Sequence, residues 1–195
     1  MKKYAWFLGI LAVVIIIIMW LVSYYNSFIG LNEDVNKGWS QVESQYQRRT
    51  DLIPNLVSVV KGYATHEESV FLGITEARSK VGQIDLSKIN DPAVFQQFQA
   101  SQQELGSALS RLLVVSEAYP TLKANENFLA LQSQLEGTEN RITTERMRYN
   151  ELATDYNKKA KAIPGTWFVG MAGLPGERQL FKADAGAEKA PQVNF

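Results

Sequence analysis

The chemistry open to this chain rests on its lone histidine and on a few carboxylates and arginines. His66-Glu67-Glu68 opens like the helical His-Glu-x-x-His motif of zinc hydrolases, where two imidazoles one turn apart hold the metal and the glutamate activates water. Position 70 is Val and the chain has 1 His in all, so the second imidazole is missing. Helical spacing from Leu56, Val59 and Tyr63 puts His66 on an apolar face, as a hydrogen-bonded core or interface residue, with pH sensing as the alternative. Glu117, Glu136, Glu139 and Glu145 invite comparison with carboxylate metal sites of helical bundles, but those draw on Glu-x-x-His, which does not occur. Arg48, Arg49 and Asp51 cluster where a first helix is expected to give way to a second. Arg49 continues the inward spacing of Val42 and Tyr46, and Glu145 does the same on the last helix. Charges placed inward are expected to pair across helices, because an isolated one is expensive to bury. The alternative for the cluster is a solvated turn. No Walker loop, nucleophile elbow or dinucleotide fingerprint is present, so no cofactor is expected and the chain reads as a non-enzyme.

Composition narrows the partners. Lys plus Arg number 20 and Asp plus Glu number 20 in 195 residues, so no overall field draws the chain to nucleic acid. The absence of Cys removes disulfides, thiolate chemistry and a lipidated cysteine anchor together.

The elements that position these residues begin with an anchor. No charge occurs from Tyr4 to Asn32, and Ala5 to Val22, which includes the Val13 to Ile18 run with Ile15 and Ile18, has the length of a bilayer core. Residues 4–25 therefore read as a transmembrane helix, with Tyr4 and Trp6 at one headgroup level and Trp20, Tyr24 and Tyr25 at the other. Lys2 and Lys3 precede the run, and residues 1–3 are expected in the cytoplasm under the positive-inside bias. The bundle then lies outside, in the periplasm, with the chain held in the bacterial inner membrane. No small-x-small site follows the run, which argues against a cleaved signal peptide.

Residues 26–162 show helical periodicity, which lapses from Val81 to Asn90 around Gly82. A first helix carries Val35, Trp39, Val42 and Tyr46 and runs on from the span without a break. A second is capped by Asp51, with Pro54 in its first turn, and carries Leu56, Val59, Tyr63, Val70, Ile74, Ala77 and Val81. The third follows the Asp91-Pro92 cap to about Ala118, and Pro120 ends it. The last starts between Thr121 and Asn125, and its seam runs Phe128, Leu131, Leu135, Thr138, Ile142, Glu145, Tyr149, Leu152 and Tyr156. The expected fold is all-α: an N-terminal transmembrane helix followed by an antiparallel four-helix bundle of long helices. Such a bundle returns its last helix toward the bilayer. In the apolar, glycine-rich segment that opens residues 163–195, Trp167, Phe168 and Met171 then either rest in the membrane interface or pack on their own domain. The tail from Ala183 to Phe195 is small, polar and expected to be mobile. Phe95-Gln96-Gln97-Phe98-Gln99 offers either a self-association stripe or two phenylalanines facing the core.

Several blocks resemble the LemA family. They are Tyr25-Asn26, Trp39-Ser40, Gln47-Arg48-Arg49-Thr50-Asp51-Leu52-Ile53-Pro54-Asn55-Leu56-Val57, Lys61-Gly62-Tyr63 and His66-Glu67. Beyond them come Glu117-Ala118-Tyr119-Pro120, Leu122-Lys123-Ala124, Thr138-Glu139-Asn140, Arg146, Tyr149-Asn150 and Tyr156-Asn157. The chain departs from the family's usual Phe-Pro at Ile163-Pro164 and in its tail. The resemblance implies a single-pass bacterial membrane protein with an extracytoplasmic helical bundle and no catalytic residues. A relative in magnetosome membranes implies work on membrane shape or organisation. With the bilayer as first partner, the function expected is a self-associating, homo-oligomeric scaffold of the envelope membrane. The alternative is an adaptor or sensor for another envelope protein, such as a quality-control protease.

Overall fold

A computed structural model of the chain describes residues 2–182, without the side chains at 2, 3 and 5. The C-terminal tail, expected to be mobile, lies outside the described residues. Every described element is helical: α1 (Lys2–Lys61), α2 (Glu68–Gly82), a 3-10 turn (Leu86–Lys88), α3 (Pro92–Glu117), α4 (Pro120–Lys123), α5 (Glu126–Lys161) and α6 (Gly165–Ala172).

α1 does run on from the apolar stretch without a break, but it does not stop at Asp51. Its buried positions Phe28, Asn32, Val35, Val42, Tyr46, Arg49, Ile53, Leu56 and Val60 keep the three-and-four spacing of a single seam through Pro54. An interior proline costs on the order of 3 kcal/mol. Pro54 is exposed, so its ring faces water while Ile53 and Leu56 stay in phase, and that burial outweighs the lost hydrogen bond. The expected second helix is therefore divided. Its first turns belong to α1, which ends at Lys61 before Gly62, and α2 starts at Glu68 after a short connection.

The later boundaries follow local chemistry. Asp91 caps α3 by accepting from the Ala93 N–H at 2.8 Å, with Pro92 in the first turn. The Asn125 side chain accepts from the Phe128 N–H at 3.0 Å and starts α5. Over 36 residues α5 is about 54 Å long. Phe128, Leu135, Thr138, Ile142, Tyr149 and Tyr156 on its seam are buried.

The chain forms two compact units, Met1–Ser40 with Glu151–Arg178, and Gln41–Asn150 with Gln179–Phe195. In the second, Ile53, Leu56 and Val60 of α1, Phe71 and Ile74 of α2, Leu105, Leu109 and Leu112 of α3, and Phe128 and Leu135 of α5 share one core. Phe95 and Phe98 are buried there, Phe98 edge-on to Tyr46 at 5.1 Å. In the first unit, the end of α5 lies antiparallel beside α1: Phe28 stacks on Tyr156 at 5.1 Å, and Lys159 reaches Ser27 and Tyr24. The last helix thus returns to the end of the apolar stretch. Every described side chain from Trp6 to Val22 is exposed, and α1 is the one described helix long and apolar enough to cross a membrane.

Candidate functional site

In the first unit the site is a collar of aromatic side chains around the end of the apolar stretch. Phe168 of α6 stacks on Tyr24 with centroids 5.3 Å apart and leans on Tyr25 at 6.1 Å. Trp20 lies 5.9 Å from Tyr24 on the same helix. The Lys159 ammonium sits 4.8 Å over the Tyr24 ring and donates to the Ser27 hydroxyl at 2.5 Å. Gly165 makes the close turn possible: a Cβ there would fall 1.9 Å from the Lys159 carbonyl oxygen and 3.1 Å from the Tyr24 hydroxyl. Gly173, at φ +62°, ends α6 in the left-handed conformation glycine tolerates. Trp167 (66 %) and Met171 (81 %) remain exposed, as does Ile163 (77 %), whereas Phe168, grouped with them on sequence, turns inward onto α1.

Beyond α6 the chain is fastened to this unit. The Tyr156 hydroxyl donates to the Pro175 carbonyl at 2.6 Å. Burial pushes that phenol's pKa up, and the Arg178 guanidinium stacked 5.4 Å from the ring pulls it back in part. Asn157 grips the Arg178 backbone both ways, accepting from its N–H at 2.7 Å and donating to its carbonyl at 2.9 Å. The Arg178 guanidinium donates to Asn32 at 2.6 Å and Asn36 at 2.9 Å.

The second unit buries the arginine that the seam spacing pointed inward. Arg49, 5 % exposed, donates to both Glu139 carboxylate oxygens at 3.0 and 3.3 Å and to the Gln102 carbonyl at 3.3 Å, and it also meets the Gln102 side-chain oxygen. The partner is Glu139 and not Glu145, which is six positions further along the helix. Glu145 instead accepts from Arg148 on its own helix at 3.0 Å. Arg48 is exposed, and so is Asp51, which accepts from Gln47 at 2.8 Å, since both lie on the outer face of an unbroken α1. His66 is exposed too, because the helix whose phase placed it inward ends at Lys61. Beside it the Tyr119 hydroxyl donates to Glu67 at 3.3 Å, and burial, reinforced by that carboxylate, raises the phenol's pKa.

Arg49 forms the floor of a cleft of about 840 Å³, walled by Gln102, Gly106 and Ser107 of α3 and Glu139, Asn140 and Arg146 of α5. At its edge Arg146 donates to the Lys182 carbonyl and lies 4.8 Å over the Phe181 ring. Phe181 packs on Phe95 and Tyr149, and Asn150 grips its backbone as Asn157 grips that of Arg178. Among the described residues no group of three or more His, Asp or Glu is placed to hold a metal. Glu117 pairs with Lys123, and Glu136 accepts from Gln132, so the four glutamates considered on sequence do not converge. Sequence reasoning missed Gln102, Arg178 and the two asparagine grips. Their one visible signal was the Tyr-Asn pair repeated seven residues apart at 149–150 and 156–157.

Compared with known proteins, residues 38–195 match the model of the LemA family. The chain belongs to the LemA family. Arg49, Glu139, Arg178 and α6 fall within the LemA match, and the apolar stretch of α1, with Trp20, Tyr24 and Tyr25, precedes it. Magnetosome protein MamQ 2 of Paramagnetospirillum magneticum is 28 % identical over 191 residues, covering 89 % of this chain and 70 % of the relative. Magnetosome protein MamQ of Magnetospirillum gryphiswaldense is 26 % identical over 184 residues, 85 % of this chain and 68 % of the relative. Protein LemA of Metamycoplasma hominis is 24 % identical over 134 residues, 69 % and 58 % of the two chains.

Proposed function

We propose that this LemA-family chain is a non-enzymatic, membrane-tethered scaffold. Copies associate side by side through their helical portions and organise or shape the bacterial envelope membrane. One observation carries the tether. Every described side chain of α1 from Trp6 to Val22 is exposed, whereas Phe28, Val35, Val42 and their successors on the same helix are covered by the rest of the fold. An apolar surface of that extent in water marks a binding surface, and its length and uniformity match lipid hydrocarbon. Lys2 and Lys3 before the stretch, against Glu33, Asp34 and Lys37 after it, favour an N-terminus in the cytoplasm and helices on the periplasmic face of the inner membrane. In the second unit α1, α2, α3 and α5 are joined by short connections around one core, which supports reading them as an antiparallel four-helix bundle. Relatives named as magnetosome proteins support the membrane-organising role.

The experiment has two arms. The chain should remain with the membrane after an alkaline wash, and a tag placed after Phe195 should be digested only once the outer barrier is opened. In lipid reconstitutions, electron microscopy should show ordered multimers. Release by alkali would remove the tether, a protected cytoplasmic tag would remove the periplasmic placement, and monodisperse single copies would remove the scaffold. A second reading, an adaptor for another envelope protein such as a quality-control protease, is favoured by the polar cleft beside Arg49. It predicts single copies that retain a defined protein partner.

A further inference from the structure

We infer that α6, with the turn before it, is a second membrane contact, which lays Ile163, Trp167 and Met171 into the boundary between headgroups and acyl chains. This rests on the membrane-tethered reading of α1 and adds to it a second lipid-binding element held against the end of the span.

Trp167 and Met171 lie four apart on α6, the spacing that lines one face of a helix, and Ile163 stands in the turn that leads into it. They are 77 %, 66 % and 81 % exposed, among the most open apolar side chains of the described residues. The next residue after Trp167 points the other way: Phe168 stacks on Tyr24 and Tyr25, so the inner face of α6 is taken by α1 and the outer face is an unpartnered apolar stripe. From Ile163 to Gly176 there is no charged residue, so α6 lacks the polar outer face of a helix meant for water.

Continuity identifies what covers the stripe. Tyr24 and Tyr25, the residues α6 is clamped to, close the apolar stretch that α1 exposes from Trp6 to Val22. A side chain packed beside them sits at the depth where tyrosine and tryptophan belts rest. The stripe is thus an extension of a surface already fitted to lipid. The nearby cations are engaged: Lys158 with Asp155, Lys159 with Ser27 and the Tyr24 ring, and Lys161 with Glu177. Insertion is therefore driven by apolar area and is indifferent to headgroup charge. Gly165 is a positioning residue, since any side chain there would meet the Lys159 carbonyl and lift α6 from its seat.

The absence of cysteine in the chain makes a single introduced thiol unique. The full chain is reconstituted in phosphatidylcholine vesicles with an environment-sensitive fluorophore on Met171→Cys, on Ile15→Cys as a report of the span, and on Ser110→Cys as an aqueous reference. Lipids carrying a nitroxide near the headgroup are expected to quench the label at 171 several-fold more than the label at 110. Iodide in the water should do the reverse. Adding phosphatidylglycerol should leave the quenching at 171 unchanged. In a Gly165→Ala background the lipid quenching at 171 should fall several-fold while deep-nitroxide quenching at 15 stays. A label at 171 open to iodide while position 15 remains lipid-quenched would overturn the α6 contact and leave the tether standing. Shielding from iodide without lipid quenching would mean that protein covers the stripe, and it would also overturn the inference. Loss of lipid quenching at both 15 and 171 would remove the tether and this inference with it.

Discussion

At the scale of single residues, the buried centre of the second unit is asymmetric, and the asymmetry can be measured. Arg49 is 5 % exposed and Glu139 is 44 % exposed, so the two partners stand to lose different things. Removing the carboxylate by Glu139→Ala leaves a buried guanidinium with only the Gln102 oxygens as acceptors, and uncompensated buried charges of this kind cost about 3 to 5 kcal/mol. Replacing the cation by Arg49→Met fills the seam with an apolar side chain and frees a glutamate that can turn to water, a change worth roughly 1 kcal/mol or less. Urea unfolding of the detergent-solubilised chain, followed by circular dichroism, is expected to rank Glu139→Ala well below Arg49→Met in stability. Equal losses would show that the pair is not held together by burial of the arginine. The inward position of Arg49 was legible because it continues the phase of Val42 and Tyr46. Its partner was not legible: Glu139 and Glu145 lie six positions apart on the same helix, and the axial level at which α1 meets α5 decides between them. Sequence periodicity fixes which face a residue occupies, and it carries no information about the axial offset of two helices.

Among the elements, α5 was readable almost residue by residue, because an uninterrupted three-and-four seam leaves one helical phase and no competing signal. The end of α1 was not, because Asp51 and Pro54 carry the chemistry of a helix start while packing on both sides of them keeps a single seam. Local capping preferences amount to about 1 kcal/mol, and the burial of Ile53, Leu56 and Val60 on the continuing helix exceeds that. The misplaced boundary carried His66 with it, from an expected core position to an exposed connection. The segment after α6 has no periodic signal, since asparagine side chains hold its backbone and almost any residue type supplies a backbone. Asn157 makes two such bonds to Arg178, at about 1 kcal/mol each. Asn157→Ala is therefore expected to raise the population of the released segment by roughly 30-fold, and to speed tryptic cleavage after Arg178, which is buried in the parent chain, by a similar factor. A cleavage rate unchanged by the substitution would mean that the remaining contacts, the Arg178 side chain with Asn32 and Asn36 and the Tyr156–Pro175 bond among them, retain the segment without Asn157.

For the whole molecule, the two proposed attachments to the bilayer differ greatly in strength, and that difference yields a test neither gives alone. A fully apolar span inserts in a way that is effectively irreversible, whereas a short interfacial element binds reversibly. Ile163, Trp167 and Met171 would contribute roughly 1.5 to 3 kcal/mol each if wholly buried. They lie at a boundary and not in a core, and association itself costs several kcal/mol, so the stripe alone amounts to weak, exchangeable binding. Deleting residues 2–22 removes the exposed apolar stretch and keeps Tyr24 and Tyr25, the seat of Phe168. The shortened chain is expected to float only in part with phosphatidylcholine vesicles and to leave them on dilution, while the full chain stays bound. Adding Trp167→Ser and Met171→Ser to the deletion should abolish the residual flotation without changing helix content, because both side chains face away from the fold. If the shortened chain instead floats as completely as the parent, the apolar stretch of α1 is not the principal anchor. If it does not float at all, α6 contributes nothing measurable on its own and acts only where α1 already holds it at the surface.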